Sequence, residues 1–143
     1  MKRVAIIGAG ISGLFIANLF KKNPNYQTTL YEKNTTIALE EGYGVQLSVN
    51  SIKLLNKIGF QKLPNNEKFT PNKINFYSNK SSNKICELDI ANFNSEDCKY
   101  TTLKRSTLIN FLKKDLRDVI KTNFNISKVN HQEKQIKLSF ENN

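Results

Sequence analysis

Residues 4–20 read VAIIGAGISGLFIANLF, an apolar run that breaks at a glycine and resumes in a different rhythm. Lys2–Ile7 is short, apolar and β-branched, and Gly8 ends it, which predicts a buried strand. Ser12–Lys22 predicts a helix. Leu14, Phe15, Ala17, Leu19 and Phe20 give it a broad apolar face, and Pro24 lies just beyond its end. Gln27–Glu32, QTTLYE, is β-branched and aromatic and predicts a second strand. The three segments make a βαβ unit of the expected length.

Gly8, Gly10 and Gly13 form G-x-G-x-x-G between that strand and that helix. Each glycine has a physical task. Gly8 permits the tight turn. Gly10 lacks a side chain, so a pyrophosphate can approach the backbone. Gly13, with Ala17 a turn later, lets helix and strand pack closely. The helix start offers unpaired N–H groups and a partial positive charge, and Ser12 can add a hydroxyl or cap the helix. Glu32 follows Gly13 by 19 residues, close to the roughly 20 expected of an acid that binds a ribose hydroxyl pair. A carboxylate there disfavours a 2′-phosphate, since two anions repel. Lys33 beside it reads as solvated. The joint pattern predicts a dinucleotide, and NAD and FAD share it.

The 143 residues suit one domain with a real core. At 38% hydrophobic and 24% charged the composition is that of a globular chain, and no apolar run reaches transmembrane length. Lys2 and Arg3 precede an apolar run as in a secretory signal. Glycines interrupt that run, and no small-residue cleavage site follows, so a leader is not expected. The net charge of +10 comes from dispersed lysines without a basic run, so it reads as a solvated surface and no nucleic-acid partner is expected. Cys86 and Cys98 lack metal or disulfide spacing and read as structural thiols, and a reducing, cytoplasmic location follows. His131, the single histidine, sits in polar sequence and reads as solvated. Glu40 and Glu41 read as a surface loop. No metal cluster and no catalytic residue can be named.

Further along, residues 33–43 hold no second crossover helix, and EEGYGVQLS reads as a glycine-punctuated loop. Asn50–Ile58 predicts a short helix, capped by Asn50 or Ser51 and stopped at Gly59. Residues 61–72 read as loop. Lys73–Ser78 and Lys84–Ile90 flank a polar turn and predict a hairpin. Lys99–Leu103 is a short strand. Ser106–Lys121 predicts a long helix, with Leu108, Phe111, Leu112, Leu116, Val119 and Ile120 on one face. Asn123–Val129 and Gln135–Phe140 predict two or three closing strands.

Four pieces together resemble the N-terminal part of the FAD-dependent aromatic-ring monooxygenases, single-component flavoprotein hydroxylases with a glutathione-reductase-like FAD fold. VAIIGAGISGLFIA resembles the first FAD motif, and TTLYEK the ribose-binding strand end. GYGVQLSVNSIKLLNKIGF resembles a segment running into a helix that ends Leu-Gly, with Val49 in place of the usual proline. LKRSTLINFL resembles the strand, arginine and helix beside the ribityl chain. The third and fourth pieces separate this family from NAD-binding dehydrogenases.

The resemblance implies an α/β fold: a partial Rossmann-like FAD-binding domain with an inserted β-hairpin and a C-terminal antiparallel β segment. Residues 1–143 would be the N-terminal part of that domain, with 61–100 starting a substrate-domain insertion. Gly8, Gly10, Ile11, Ser12 and Gly13 would contact the pyrophosphate. Glu32 would hold the adenosine ribose, with Lys33 nearby. Gly44 and Val45 would line the flavin, and Arg105 would reach the ribityl-phosphate region, where a fixed fork of donors suits a phosphate. FAD would be reduced by NADH or NADPH and would use oxygen to hydroxylate a small aromatic substrate. Another FAD-dependent oxidoreductase, a dehydrogenase or reductase, is an open alternative, as is a non-catalytic remnant needing a partner chain.

The family's later Gly-Ala-Asp-Gly and Gly-Asp segments are absent from these residues. The expectation is an N-terminal piece of a longer enzyme, completed by a C-terminal chain. In strand order 3-2-1-4-5-6 the first strand would lack one neighbour, so marginal stability and weak FAD binding are expected.

Overall fold

A computed structural model describes residues 1–37 and 43–141. Glu40 and Glu41 fall outside the described residues. The chain divides into two compact units, Met1–Glu41 with Leu108–Asn143, and Gly42–Thr107.

The first unit is built on β1 (Lys2–Ile7), α1 (Ile11–Lys21) and β2 (Tyr26–Tyr31). β1 and β2 run parallel in register from Lys2↔Tyr26 to Ile7↔Tyr31, as the βαβ reading requires. Leu14 and Ala17 of α1 and Leu30 of β2 are fully buried. The third parallel strand comes from much later in the chain. The expected helix Ser106–Lys121 is in fact α3 (Arg105–Lys113), followed by turns and a two-residue strand, Ile120–Lys121. That strand pairs parallel with β2, Leu30↔Ile120 and Tyr31↔Lys121, giving a sheet with β2 in the middle. Leu116 and Val119 are buried as their helical spacing suggested. They are buried in turns, because apolar spacing rewards burial and says little about how the backbone achieves it.

Two side chains tie α1 to α3 and the segment after it. The Asn18 amide donates to the carbonyls of Leu14 at 2.9 Å and Leu112 at 2.7 Å. Lys21 donates to the Asp115 carbonyl and pairs with the Asp118 carboxylate. This holds the Asp118 carboxyl below its usual range. Numbering the short strand Ile120–Lys121 as β7, the chain then forms a hairpin of β8 (Ile126–Gln132) and β9 (Gln135–Phe140). Tyr31, Phe124 and Phe140 anchor it in a mutual cluster with ring centroids 4.9–5.5 Å apart. The expected buried strand β1 is exposed at four of its six residues and half-buried at Val4 and Ile6. It pairs along one edge, and Ile7 is 55% exposed.

In the second unit the expected loop at 44–47 is a strand, β3 (Gly44–Leu47). It pairs antiparallel with β6 (Thr101–Lys104), from Gly44↔Lys104 to Leu47↔Thr101. Single-strand propensity is weak here, and a partner strand far along the chain decides. α2 (Val49–Asn56) starts one residue before the expected Asn50. Its N-cap is Ser48, without a side-chain cap bond, so neither Asn50 nor Ser51 caps it. Gly59 takes φ +94°, a conformation only glycine adopts without strain. Single 3₁₀ turns at Phe60–Lys62 and Asn65–Glu67 interrupt the expected loop. β4 (Lys73–Tyr77) and β5 (Lys84–Asp89) form the expected hairpin. Cys86 on it is exposed, so it is not packed as a structural thiol; Cys98 is half-buried. Ile52, Leu55, Phe60, Ile90 and Leu103 are buried.

Two outcomes test these supports. Asn18→Ala strands the Leu112 carbonyl and is expected to cost about 1–3 kcal/mol, read as a lower urea midpoint. Glu87, between Lys73 at 2.7 Å and Lys84 at 2.9 Å, has its pKa lowered to about 2 by those hydrogen bonds. A depressed carboxylate stabilises the fold above its unfolded value and loses that contribution as pH falls. NMR titration is therefore expected to show Glu87 ionised well below the usual carboxylate range, with a pKa that rises part of the way back in Lys73→Ala, where Lys84 remains.

Candidate dinucleotide site

The turn after β1 is set by backbone geometry. Gly8 takes φ +93°, and its N–H donates to the Tyr31 carbonyl at 2.8 Å, extending the β1–β2 ladder by one residue. Gly10 is the N-cap of α1, and the first helical bond runs from Leu14 N–H to the Gly10 carbonyl. The amides of Ile11, Ser12 and Gly13 lie ahead of that bond, at the positive end of the helix, with no acid in the first turn. Ser12 does not cap the helix, as sequence had allowed; Gly10 takes that position with no side-chain bond.

The glycines divide sharply in what a Cβ would meet. At Gly13 it would stand 2.0 Å from the Gly8 carbonyl oxygen and 3.5 Å from Ile6 Cγ2. At Gly10 it would meet nothing within 4 Å. Gly13 therefore serves helix–strand packing, while the chain itself places no demand on Gly10. The bare surface at Gly10 leaves room for a group from outside the chain.

Glu32 lies just past β2 and is 9% exposed. Its Oε2 accepts the Ala9 N–H at 2.7 Å, and its Oε1 accepts the Asn34 N–H at 3.0 Å. Its own N–H donates to the Lys121 carbonyl and its carbonyl accepts the Phe124 N–H, both at 2.9 Å. The carboxylate thus clasps the glycine turn and is held in place by the segment after β7. Each carboxylate oxygen keeps a free lone pair. Lys33, next in the chain, is exposed.

Gly8, Gly10, Ile11, Ser12, Gly13 and Glu32 come together in the first unit. Gly44, Val45 and Arg105 come together in the second. Gly44 and Val45 face Lys104 and Leu103 across the β3–β6 ladder, and the Arg105 N–H donates to the Tyr43 carbonyl at 3.4 Å. An open cleft of about 610 Å³ follows this ladder, lined by Val45, Glu67, Lys68, Phe69 and Thr102 among others. Phe69 is 65% exposed and bridges to Thr102. Neither residue carried a sequence signal, because an isolated bridge between distant residues leaves no periodic pattern. Ala9 and Asn34 were missed for a different reason. They act through backbone N–H groups, which any residue supplies.

A model of the NAD(P)-binding Rossmann-like domain matches residues 6–40. Solved structures match nearly the whole chain. Klebsiella pneumoniae HpxO complexed with FAD and uric acid superposes over 99% of this chain and 36% of its own, with TM-score 0.78 and 16% identity. The 2,6-dihydroxypyridine-3-hydroxylase of Arthrobacter nicotinovorans superposes over 99% and 33%, with TM-score 0.75 and 12% identity. The chain has the fold of the N-terminal portion of an FAD-dependent, aromatic-hydroxylase-like monooxygenase. Part of the sequence is also similar to curated proteins. It is 39% identical over 57 residues to the 3-amino-4-hydroxybenzoate 2-monooxygenase PtnB3 of Streptomyces platensis, over 40% of this chain and 14% of that one. It is 38% identical over 58 residues to the FAD-dependent monooxygenase anuJ of Penicillium roqueforti, over 40% and 7%. The chain therefore spans about a third of the solved structures it matches, and the sequence match a smaller share of the curated relatives. Among the described residues no helix is long and apolar enough to cross a membrane, and no cluster of histidine, cysteine and acids could hold a metal.

The glycines make an outcome that separates fold from binding. Gly13→Ala forces α1 off β1 and is expected to lower the melting temperature of the chain strongly. Gly10→Ala is expected to leave the melting temperature and circular dichroism of the ligand-free chain close to wild type.

Proposed function

We propose that the first unit binds the ADP half of FAD. One observation carries this reading: a buried carboxylate clasps a glycine turn whose helix-start amides are open and whose Gly10 surface is bare. The donor set fits the group. The amides of Ile11, Ser12 and Gly13 suit the pyrophosphate oxygens, which gain from the helix dipole. Glu32 has the lone pairs left to accept two ribose hydroxyls while it holds the turn, with exposed Lys33 beside it. Gly10 admits the phosphate close to the backbone. In the second unit, Gly44 and Val45 on β3 and Arg105 at the start of α3 would hold the flavin and ribityl side. A guanidinium offers several donors in a fixed fork.

FAD supplies the redox chemistry when bound, with NADH or NADPH as reductant and oxygen as co-substrate. The residues of this chain bind and orient it. The relatives that carry an aromatic substrate in their names support a small aromatic substrate for the whole protein. Residues 61–100, with the β4–β5 hairpin, are proposed as the start of the substrate domain. The free edge of β1 suits a further parallel strand, from the same polypeptide or a complementing one. In the doubly wound order the first strand lies inside the sheet. Without that strand, FAD binding is proposed to be weak.

A flavin-fluorescence titration at high protein concentration tests the reading. Saturable binding that Gly10→Ala abolishes, in a variant that keeps its melting temperature, is expected. Binding indifferent to Gly10→Ala would overturn it, as would no binding by wild type.

A further inference from the structure

The first unit carries a second concave feature away from the glycine turn. A cleft of about 490 Å³ is lined by Asn110, Lys113, Lys114, Arg117 and Ile120. Asn110 and Lys113 lie on α3, and Lys114 and Arg117 follow in the turns after it. Helix and turns together bring the four side chains to one cleft. Three cations and an amide thus share one concavity, and no carboxylate lines it among the described residues.

The acids nearest in sequence, Asp115 and Asp118, stand outside the lining of this cleft. Asp118 is paired with Lys21, and the Asp115 carbonyl takes a hydrogen bond from the same ammonium. The side chains of Lys113, half-buried, and Arg117 make no ion pair or hydrogen bond among the described residues. Lys114 stands 5.1 Å from the Phe111 ring centroid, a contact that leaves its donors open. The carbonyls that end a helix would normally repel an anion. Here several are already occupied. The Leu112 carbonyl accepts the Asn18 amide at 2.7 Å, and the Lys113 carbonyl accepts the Leu116 N–H at 3.0 Å. The Leu116 carbonyl accepts both Val119 and Ile120.

We propose that this cleft is a binding site for a compact phosphate-bearing anion, separate from the dinucleotide turn. The Arg117 guanidinium matches two phosphate oxygens at once, Lys113 and Lys114 supply point charges, and the Asn110 amide supplies a neutral donor. Ile120 forms an apolar wall. The phosphate could be free or carried on a nucleoside.

The test uses the full chain with Gly10→Ala, so that the glycine turn does not contribute and failure of the FAD reading leaves this outcome legible. Lysine acetylation rates are read by mass spectrometry with and without inorganic pyrophosphate, at matched ionic strength. Pyrophosphate is expected to slow Lys113 and Lys114 severalfold and to leave exposed Lys128 and Lys137 unchanged. Calorimetric affinity for pyrophosphate is expected to fall about tenfold in Lys113→Gln and in Arg117→Gln, and to hold in Lys128→Gln. ADP in place of pyrophosphate distinguishes the sources: tighter binding assigns a nucleotide, equal or weaker binding a free phosphate, and both uphold the site. Uniform slowing of all lysines, no slowing, or an affinity indifferent to Arg117→Gln would overturn it.

Discussion

At Gly13 there is no room for a Cβ, and the first unit is organised around that fact. The backbone of α1 crosses so close to the turn after β1 that an added carbon would stand 2.0 Å from the Gly8 carbonyl oxygen. Interiors are packed too tightly for such an overlap to be absorbed. The close crossing sets where α1 starts relative to the strand end, and so where its open amides point. Leu14, the next residue, and Ala17, one turn on, are both buried and hold the helix down.

Glu32 closes the same turn from the other side. A buried carboxylate is tolerable only when its oxygens are hydrogen-bonded, and both accept backbone N–H groups, one of them on the glycine turn itself. The residue is fixed in turn by the strand Ile120–Lys121 and the segment after it. The far end of the chain therefore positions the acid that the βαβ unit presents. The polar groups of the turn are thus carried on strand and helix ends and held in place by the fold itself.

The βαβ unit, the glycine turn and the place of an acid, Glu32, at the end of the second strand were all legible in residues 2–32. They rest on local signals: strand and helix periods, a positive φ that demands glycine, and a spacing set by one helix and one strand. The hairpins at 73–89 and 126–140 were legible because hairpin pairing is local too. The strand Gly44–Leu47 was read as loop, and Ile120–Lys121 as helix. Both owe their structure to partners far along the chain, Thr101–Lys104 for the first and Leu30–Tyr31 for the second. Two or four residues contain too little pattern to declare such a partner. The cap of α2 was misplaced for the smaller reason that serine and asparagine stand side by side at 48–51 and propensity cannot choose among them.

By itself the sequence determined that a strand, a glycine turn and a helix would follow one another here, because only glycine fits the turn and only glycine fits the crossing. It also determined an acidic residue at the end of the next strand. Tertiary structure alone decided that β2 is central, that Ile120–Lys121 becomes its second neighbour, and that Glu32 is locked on four hydrogen bonds. It also decided that Asn110, Lys113, Lys114 and Arg117 share one cleft while the Asp118 carboxylate pairs with Lys21. Those outcomes depend on which distant backbone groups and charges meet, and a residue's own neighbours in sequence do not encode that meeting.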